Sequence, residues 1–311
     1  MDILFVAAGL VVLLIAGDLL VRGAVAMSLR LGVPALIVSL TIVAFGTSAP
    51  ELLIAIQAAV EGVPALALGN VVGSNTANVL LVLGVPALLS RLHTKAGECA
   101  FDYWFMILAS VVFIALCWAG PLYLWHGLIL MAGIGIFLAK AFVKARKSRQ
   151  AMKALEEELT DDHMDWWKIL ALLACGLVGL PLGADLLVDG AVRIAQDFGV
   201  DEGVIGLTLV AVGTSLPELA TSVMAAIRRQ ADVVIGNVIG SNIFNLLAIM
   251  GVASFFGPLP VADSFLRVDL WIMLGTSILL APFALGRLNL GRRWGVAFVG
   301  GYAMYVVSLL H

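Results

Sequence analysis

Apolar runs of about twenty residues, separated by short polar breaks, follow one another along almost the whole chain. Their starts lie near Ile3, Pro34, Pro64, Phe101, Leu122, Trp166, Gly203, Val233, Val268 and Gly291. A run of this length is what an α-helix needs to cross the hydrocarbon core of a bilayer. Since 62% of the residues are hydrophobic and only 13% are charged, the charges cannot cover a water-facing surface, which excludes a soluble cytosolic enzyme. We predict an all-α polytopic membrane protein with ten transmembrane helices.

The basic residues are unevenly distributed between alternate breaks. If the amino terminus lies outside, 16 of the 18 Lys and Arg residues fall into the breaks that face the cytoplasm, and only Arg193 and Arg267 lie outside. An excess of Lys and Arg is typical of cytoplasmic loops. We therefore predict a multi-pass protein of the inner (plasma) membrane with both termini outside the cytoplasm. The first run has no basic segment before it and no evident cleavage site, so we expect it to be retained.

One long polar segment, from Lys140 to Lys168, divides the chain in two. Its first half is basic and its second half is acidic, but it lacks the DxDxDG pattern of a calcium-binding loop. We interpret it as a solvated, partly helical cytoplasmic linker. The predicted domains are a first transmembrane repeat with helices 1 to 5 (1–139), the linker (140–165) and a second repeat with helices 6 to 10 (166–311).

The two halves are related by a shift of 167 residues. The shift carries GTSAPE (46–51) onto GTSLPE (213–218), and GNVVGSNTAN (69–78) onto GNVIGSNIFN (236–245). Between Thr41 and Gly84, 20 of 44 positions match their partners. Each half holds five runs, an odd number, so the second half enters the membrane in the opposite orientation. We predict two inverted five-helix repeats, with helices 2 and 7 broken at the GTSxPE motifs.

Proline in each GTSxPE motif lies midway along an apolar run. Pro50 and Pro217 lack an N–H group, and each ring conflicts with the carbonyl four residues earlier. We expect both helices to break, and the carbonyls of 44–47 and 211–214 to lose their donors. In a bilayer, unwound backbone persists only where it lines a cavity or binds something, and free carbonyl oxygens are cation ligands.

Glu51 and Glu218 are the only carboxylates predicted near mid-membrane, and no Lys or Arg lies at their depth. Such a carboxylate needs a cation, a proton or a basic partner. A permanently protonated Glu that stabilises packing is the structural alternative. Two negative charges match one divalent ion, and with the carbonyls of Thr47 and Thr214 the site offers six hard oxygens, which suits calcium better than magnesium. No nearby His or Cys favours zinc, copper or iron.

The second motif places polar residues four apart on one helix face, and glycines in GxxxG spacing that allow close backbone approach. The polar residues are Asn70, Ser74 and Asn78 in the first repeat and Asn237, Ser241 and Asn245 in the second. Contacts between helices explain such a stripe about as often as ion binding does. The serine hydroxyls near both motifs are neutral oxygens that suit a small monovalent ion.

At these residues the chain resembles the calcium/cation antiporter superfamily, and within it the prokaryotic sodium/calcium exchangers. The resemblance implies that Glu51 and Glu218 hold calcium together with the carbonyls of Thr47 and Thr214. The sodium ligands that it implies are Ser48, Ser74, Ser215, Ser241, the carbonyls of Ala44 and Ala211, and Asn78 near the centre. It also implies that helices 1 and 6 slide past a rigid core.

The chain departs from the family pattern at Asn245, where relatives often carry an aspartate. We keep Asn245 among the candidate metal ligands, but the lost charge leaves the ion ratio open and argues against potassium coupling. The GTSxPE motif is typical of sodium-coupled rather than proton-coupled relatives.

We therefore predict a secondary antiporter that exchanges sodium for calcium by alternating access and extrudes calcium electrogenically; the alternative is a proton/calcium antiporter. A passive channel is disfavoured because a compact neutralising cage suits occlusion, and no motif of an intramembrane hydrolase is present.

We expect no enzymatic activity and no cofactor. The three cysteines lack CxxC spacing, and the net charge of -3 gives no sign of a nucleic-acid partner. The expected partners are calcium, sodium and the lipid bilayer, and the expected state is a monomer.

Overall fold

The computed structural model describes residues 2–93, 98–155, 164–199 and 211–309, and their regular secondary structure is helical. Two isolated β-bridges, Leu92 to Leu290 and Leu122 to Leu259, join connecting segments. The helices are α1 (Asp2–Leu31), α2 (Ala35–Thr47), α3 (Ala49–Val60), α4 (Pro64–Leu89), α5 (Ala100–Trp118), α6 (Leu124–Leu155), α7 (Trp166–Asp197), α8 (Ala211–Thr214), α9 (Leu216–Ile227), α10 (Ala231–Ala253), α11 (Phe265–Ala284) and α12 (Arg292–Leu309).

Seven helices in the described part of the chain are long and apolar enough to cross a membrane, and α2 with α3, bent by 44°, makes an eighth. The chain is therefore a membrane protein with many apolar helices. The start of the seventh predicted span, near Gly203, lies outside the described residues, and the rest of it consists of the short helix α8 followed by α9. The tenth predicted span corresponds to α12, which is not among those seven. The count of ten stays a prediction.

The helices α4 and α10 form the centre of the molecule, since they are the most buried of the long helices. The GxxxG glycines of α10 face α2 closely: a Cβ on Gly240 would lie 2.6 Å from the Leu40 carbonyl oxygen, and one on Gly236 would lie 2.9 Å from Ser39 Cβ. The equivalent Gly73 of α4 meets no described atom within 4 Å. Among the described residues this close approach is present in the second repeat; Leu207, the repeat partner of Leu40, lies outside them.

The helices α1 and α7 form an antiparallel pair beside this centre. They meet at glycines: a Cβ on Gly9 would lie 2.5 Å from the Leu187 nitrogen, and one on Gly176 would lie 2.7 Å from Leu20 Cβ. A side chain at either glycine would force the backbones apart. The outward face of α1 carries exposed apolar residues such as Ile3, which suits contact with lipid.

Candidate cation-binding site

Both GTSxPE motifs interrupt their helices at the serine. Ser48 (φ -85°, ψ 9°) separates α2 from α3, and Ser215 (φ -90°, ψ 2°) separates α8 from α9. In each case the proline lies in the first turn of the next helix, where its missing N–H costs nothing. The interruptions lie at the positions that the prolines predict.

The prediction that the Ala44 carbonyl loses its donor is wrong. The Ser48 N–H still reaches this oxygen at 3.1 Å, and the Thr47 hydroxyl donates to it at 3.3 Å. Because the chain deviates from helical geometry at only one residue, the i to i−4 bond forms across the break. Both lone pairs of the oxygen are engaged, so Ala44 would bind a cation only by giving up the Thr47 contact. The side chain of the equivalent Ala211 lies outside the described residues.

The two glutamates lie in the first turns of α3 and α9. Glu51 is 1% exposed and Glu218 is 0% exposed, and their carboxylates interact electrostatically. The Ser48 hydroxyl donates to Glu218 Oε1 at 3.1 Å, so the break before α3 contacts the glutamate of the other repeat. Within the described residues neither glutamate has a Lys or Arg partner, which leaves uncompensated charge in a buried place. Two such carboxylates attract a cation strongly.

The asparagines that begin the two polar stripes contact the broken helices in a symmetric way. The Thr47 hydroxyl lies 3.4 Å from Asn237 Oδ1, and the Thr214 hydroxyl lies 3.4 Å from Asn70 Oδ1. Asn237 Nδ2 also lies 3.4 Å from the Glu218 carbonyl oxygen. The stripe of each repeat therefore packs against the GTSxPE motif of the other, a role that the sequence analysis did not assign to Asn70 and Asn237.

The described part of the chain contains nine buried side-chain nitrogen or oxygen atoms without a hydrogen-bond partner. Seven of them are oxygens of predicted site residues: Glu51 Oε2, Glu218 Oε2, Ser74 Oγ, Ser215 Oγ, Ser241 Oγ, Asn78 Oδ1 and Asn245 Oδ1. A buried polar atom without a partner costs about 1–3 kcal/mol, so such a concentration calls for a ligand. Carboxylate, hydroxyl and amide oxygens are hard donors that suit calcium or sodium.

A cavity of about 170 Å³ lies between α7 and the broken helices. Its lining includes Pro50, Thr214 and Pro217 from the two motifs, and Asp185 and Asp189 from α7. In the predicted topology α7 runs from the linker to the outside, and both aspartates lie in its second half. The cavity therefore lies beside the prolines that precede the two buried glutamates, and two carboxylates line it.

The opposite end of the helix pair is joined by ion pairs. Asp18 of α1, the repeat partner of Asp185, accepts a hydrogen bond from Arg228 Nε and lies 4.0 Å from Arg22. This contact raises the pKa of the Arg228 guanidinium, so the pair stays charged. Asp185 and Asp189 have no ion-pair partner in the described part of the chain. At the other end of the helix pair, Arg193 Nε of α7 lies 3.0 Å from Asp2 Oδ1 of α1, so ion pairs are present at both ends.

The family described as "Sodium/calcium exchanger protein" matches this chain over residues 1–143 and 168–310. The chain belongs to this family. It is thereby a member of the calcium/cation antiporter superfamily, as the motifs predict, and the matched segments carry every candidate ligand named above.

Similar proteins match this exchanger-family chain over nearly their whole lengths. The sodium/calcium exchanger MaX1 of Methanosarcina acetivorans is 31% identical and covers 100% of this chain and 99% of its own. The putative antiporter CaxA of Alkalimonas amylolytica is 34% identical, with 92% and 91% covered. Among solved structures, the sodium-calcium exchanger NCX_Mj soaked with Na⁺ and Sr²⁺ has a TM-score of 0.82 and 31% identity, with 99% and 98% covered.

Proposed function

We propose that the chain is a secondary antiporter that exchanges sodium for calcium by alternating access and extrudes calcium electrogenically across the inner membrane. In this proposal it has ten spans in two inverted repeats, with both termini outside the cytoplasm. The reaction is transport, with no chemical conversion of the ions.

One observation carries the proposal: Glu51 and Glu218, from different repeats, are fully buried, interact with each other and lack a basic partner within the described residues. The two carboxylates match the charge of one calcium ion, and the neutral Ser and Asn oxygens around them suit sodium. Because both ions need the same carboxylates, the binding of one set disfavours the other. Relatives named as sodium/calcium exchangers, and a structure soaked with sodium and the divalent ion strontium, support this assignment.

Alternating access is supported by a difference between repeat-equivalent positions on α1 and α7: Asp18 is ion-paired, whereas Asp185 lines a cavity and has no ion-pair partner among the described residues. In the predicted topology this cavity lies beside the motifs on the outer half of α7, whereas Arg228, the partner of Asp18, lies on the cytoplasmic side. We infer that this is the outward-facing arrangement. A sliding of α1 and α7 would close access on the outer side and open it on the cytoplasmic side.

Coupling to sodium would make transport sensitive to voltage if the exchanged charges differ. With three sodium ions per calcium ion, one net charge moves, and each charge contributes about 2.3 kcal/mol per 100 mV. Each tenfold ion gradient contributes about 1.4 kcal/mol per ion. Asn245 adds no charge to the site, so the ratio has to be measured.

The test is uptake of radioactive calcium into vesicles that contain the purified protein. We expect uptake when the vesicles are loaded with sodium and diluted into sodium-free medium. Uptake that requires a pH gradient instead would support the proton/calcium alternative, and uptake that follows the calcium gradient alone would indicate a channel. Either of these results contradicts the proposal.

Variants of the glutamates connect the activity to the site. Glu51→Gln and Glu218→Gln keep size and hydrogen bonding but remove the charge, so we expect calcium uptake to fall by at least about 100-fold. Glu61→Gln is the matched control because Glu61 is exposed at the end of the same helix as Glu51. Full activity of the Glu51→Gln, Glu218→Gln double variant would disprove the assignment.

A further inference from the structure

A second pair of asparagines, Asn75 and Asn242, lies where α4 and α10 cross. They are partners under the 167-residue shift, each is 1% exposed, and neither belongs to the predicted ligand set. Asn75 Nδ2 lies 3.3 Å from the Asn242 carbonyl oxygen, and Asn242 Nδ2 lies 3.5 Å from the Asn75 carbonyl oxygen. A backbone carbonyl can only accept a hydrogen bond, so these contacts require that the NH₂ group of each side chain faces the other helix.

The orientation of these two amides determines the orientation of two further amides. Asn75 Oδ1 accepts a hydrogen bond from Asn245 Nδ2 at 3.0 Å, and Asn242 Oδ1 accepts one from Asn78 Nδ2 at 3.0 Å. Because Oδ1 of Asn75 and Asn242 can only accept, Asn245 and Asn78 must present their NH₂ groups to them. The amide oxygens of Asn78 and Asn245 then point the other way.

These two oxygens are buried and have no hydrogen-bond partner among the described residues. Asn78 is 1% exposed and Asn245 is 0% exposed. Both lie in π-helical segments, Asn78–Val82 and Phe244–Ile249, which are wider than α-helix and occur frequently at functional sites. The arrangement is what a pair of neutral cation ligands requires, since an amide NH₂ facing a cation would repel it.

We propose that Asn75 and Asn242 are positioning residues of the cation site, which hold the amides of Asn245 and Asn78 with their oxygens towards a sodium ion. The inference rests on the proposed function. Each repeat orients a ligand of the other repeat: Asn75 acts on Asn245, and Asn242 acts on Asn78. Neutral oxygens suit the monovalent ion, whereas the two glutamates supply the charge for calcium.

A double-mutant cycle tests the inference in reconstituted vesicles. Asn75→Ala leaves Asn245 free to rotate, and we expect the half-saturating sodium concentration to rise about tenfold, with a change of less than about threefold for calcium. Asn245→Ala removes the ligand itself. If Asn75 acts through Asn245, the double variant has the same sodium dependence as Asn245→Ala alone.

Thr76→Val is the matched control because Thr76 is buried next to Asn75 but donates only to the Val72 carbonyl of its own helix, at 3.0 Å. We expect it to keep both half-saturating concentrations. If Asn75→Ala does not fold, Asn75→Ser provides the test, because its shorter side chain withdraws the oxygen from Asn245. The variants Asn242→Ala and Asn78→Ala form the equivalent double-mutant cycle for the second pair of asparagines.

Two outcomes overturn the inference while the proposed function stands. Both assume that the wild-type protein exchanges sodium for calcium. In the first, the effects of Asn75→Ala and Asn245→Ala on the half-saturating sodium concentration multiply in the double variant. In the second, Asn75→Ala weakens sodium and calcium binding equally, which would indicate a general packing role. A wild-type protein without sodium dependence overturns both the proposed function and the inference.

Discussion

Three acidic side chains are buried in the described part of the chain, and they differ in what surrounds them. Asp102 forms an ion pair with Lys144 at 3.1 Å, which is a structural role. Glu218 has the Ser48 hydroxyl, a neutral donor, and Glu51 has the charge of Glu218 nearby. A neutral donor does not compensate a charge, so the two glutamates retain the capacity to bind a cation.

The hydrogen bond from the Ser48 hydroxyl to Glu218 leads to a prediction. Ser48→Ala removes a hydrogen bond to a carboxylate, so Glu218 loses orientation, and we expect the half-saturating calcium concentration to rise about tenfold. The initial rates of sodium-driven calcium uptake, measured over a range of calcium concentrations, give this half-saturating value. Ser110→Ala is the control, since Ser110 is also buried but donates to Met106 of its own helix. Equal effects of the two variants would contradict the prediction.

Sequence reasoning identifies Glu51 and Glu218 because an unpaired charge in an apolar run is visible in the sequence. It fails for the Ala44 carbonyl, because one residue with ψ near 9° decides whether the helical bond reforms across the break. It also fails to assign Asn75 and Asn242, because their role depends on how two helices cross. The ligand assignments themselves stay predictions until binding is measured.

Among the helices, the broken helix α2 packs closely against α10 at Gly236 and Gly240. A Cβ on Gly240 would lie 2.6 Å from the Leu40 carbonyl oxygen of α2. The sequence predicts that glycine allows close approach, but not which neighbour uses it, because that depends on how the helices pack.

Two glycine-to-alanine substitutions test the close packing of α10 against α2. Gly240→Ala places a methyl group 2.6 Å from the Leu40 carbonyl oxygen, so we expect a loss of about 1–3 kcal/mol in stability. Gly135→Ala is the control, because Gly135 is exposed on α6, a Cβ there meets no described atom within 4 Å, and alanine favours a helix over glycine by about 0.8–1.0 kcal/mol. Thermal melting in detergent should fall for the first variant and stay equal or rise for the second. Equal melting temperatures would contradict the packing described here.

Across the whole molecule, the apolar runs predict the membrane class and the positions of most helices. They do not predict that α1 lies against α7, because this contact depends on tertiary packing. The sequence shift of 167 residues indicates the duplication, whereas the ion pairs of Asp18 show that the halves differ in this arrangement.

The ion pairs of Asp18 lead to a prediction about the balance of the two access states of the proposed transport cycle. Asp18→Asn removes the ion pairs with Arg22 and Arg228, so the outward-facing state loses stabilisation relative to the inward-facing state. A cysteine introduced at Val188, which lines the outer cavity, should then react more slowly with an impermeant reagent added outside. The background carries Ala at Cys99, Cys117 and Cys175.

Lys168→Ala is the control, because the Lys168–Asp165 pair is exposed and lies within one helix end. We expect it to leave the reaction rate at position 188 unchanged. An unchanged rate in Asp18→Asn would show that the ion pairs do not bias the two states.

The glycine contacts between α1 and α7 have a mechanical consequence. Gly9 and Gly176 let the two backbones approach closely, while Leu13, Leu20 and Leu180 pack in the buried apolar cluster that the two helices share. The outer residues of α1, such as Ile3 and Leu10, are exposed and therefore touch acyl chains. Any displacement of α1 and α7 in the proposed transport cycle would move these residues through the acyl chains, so we expect turnover to depend on the viscosity of the bilayer.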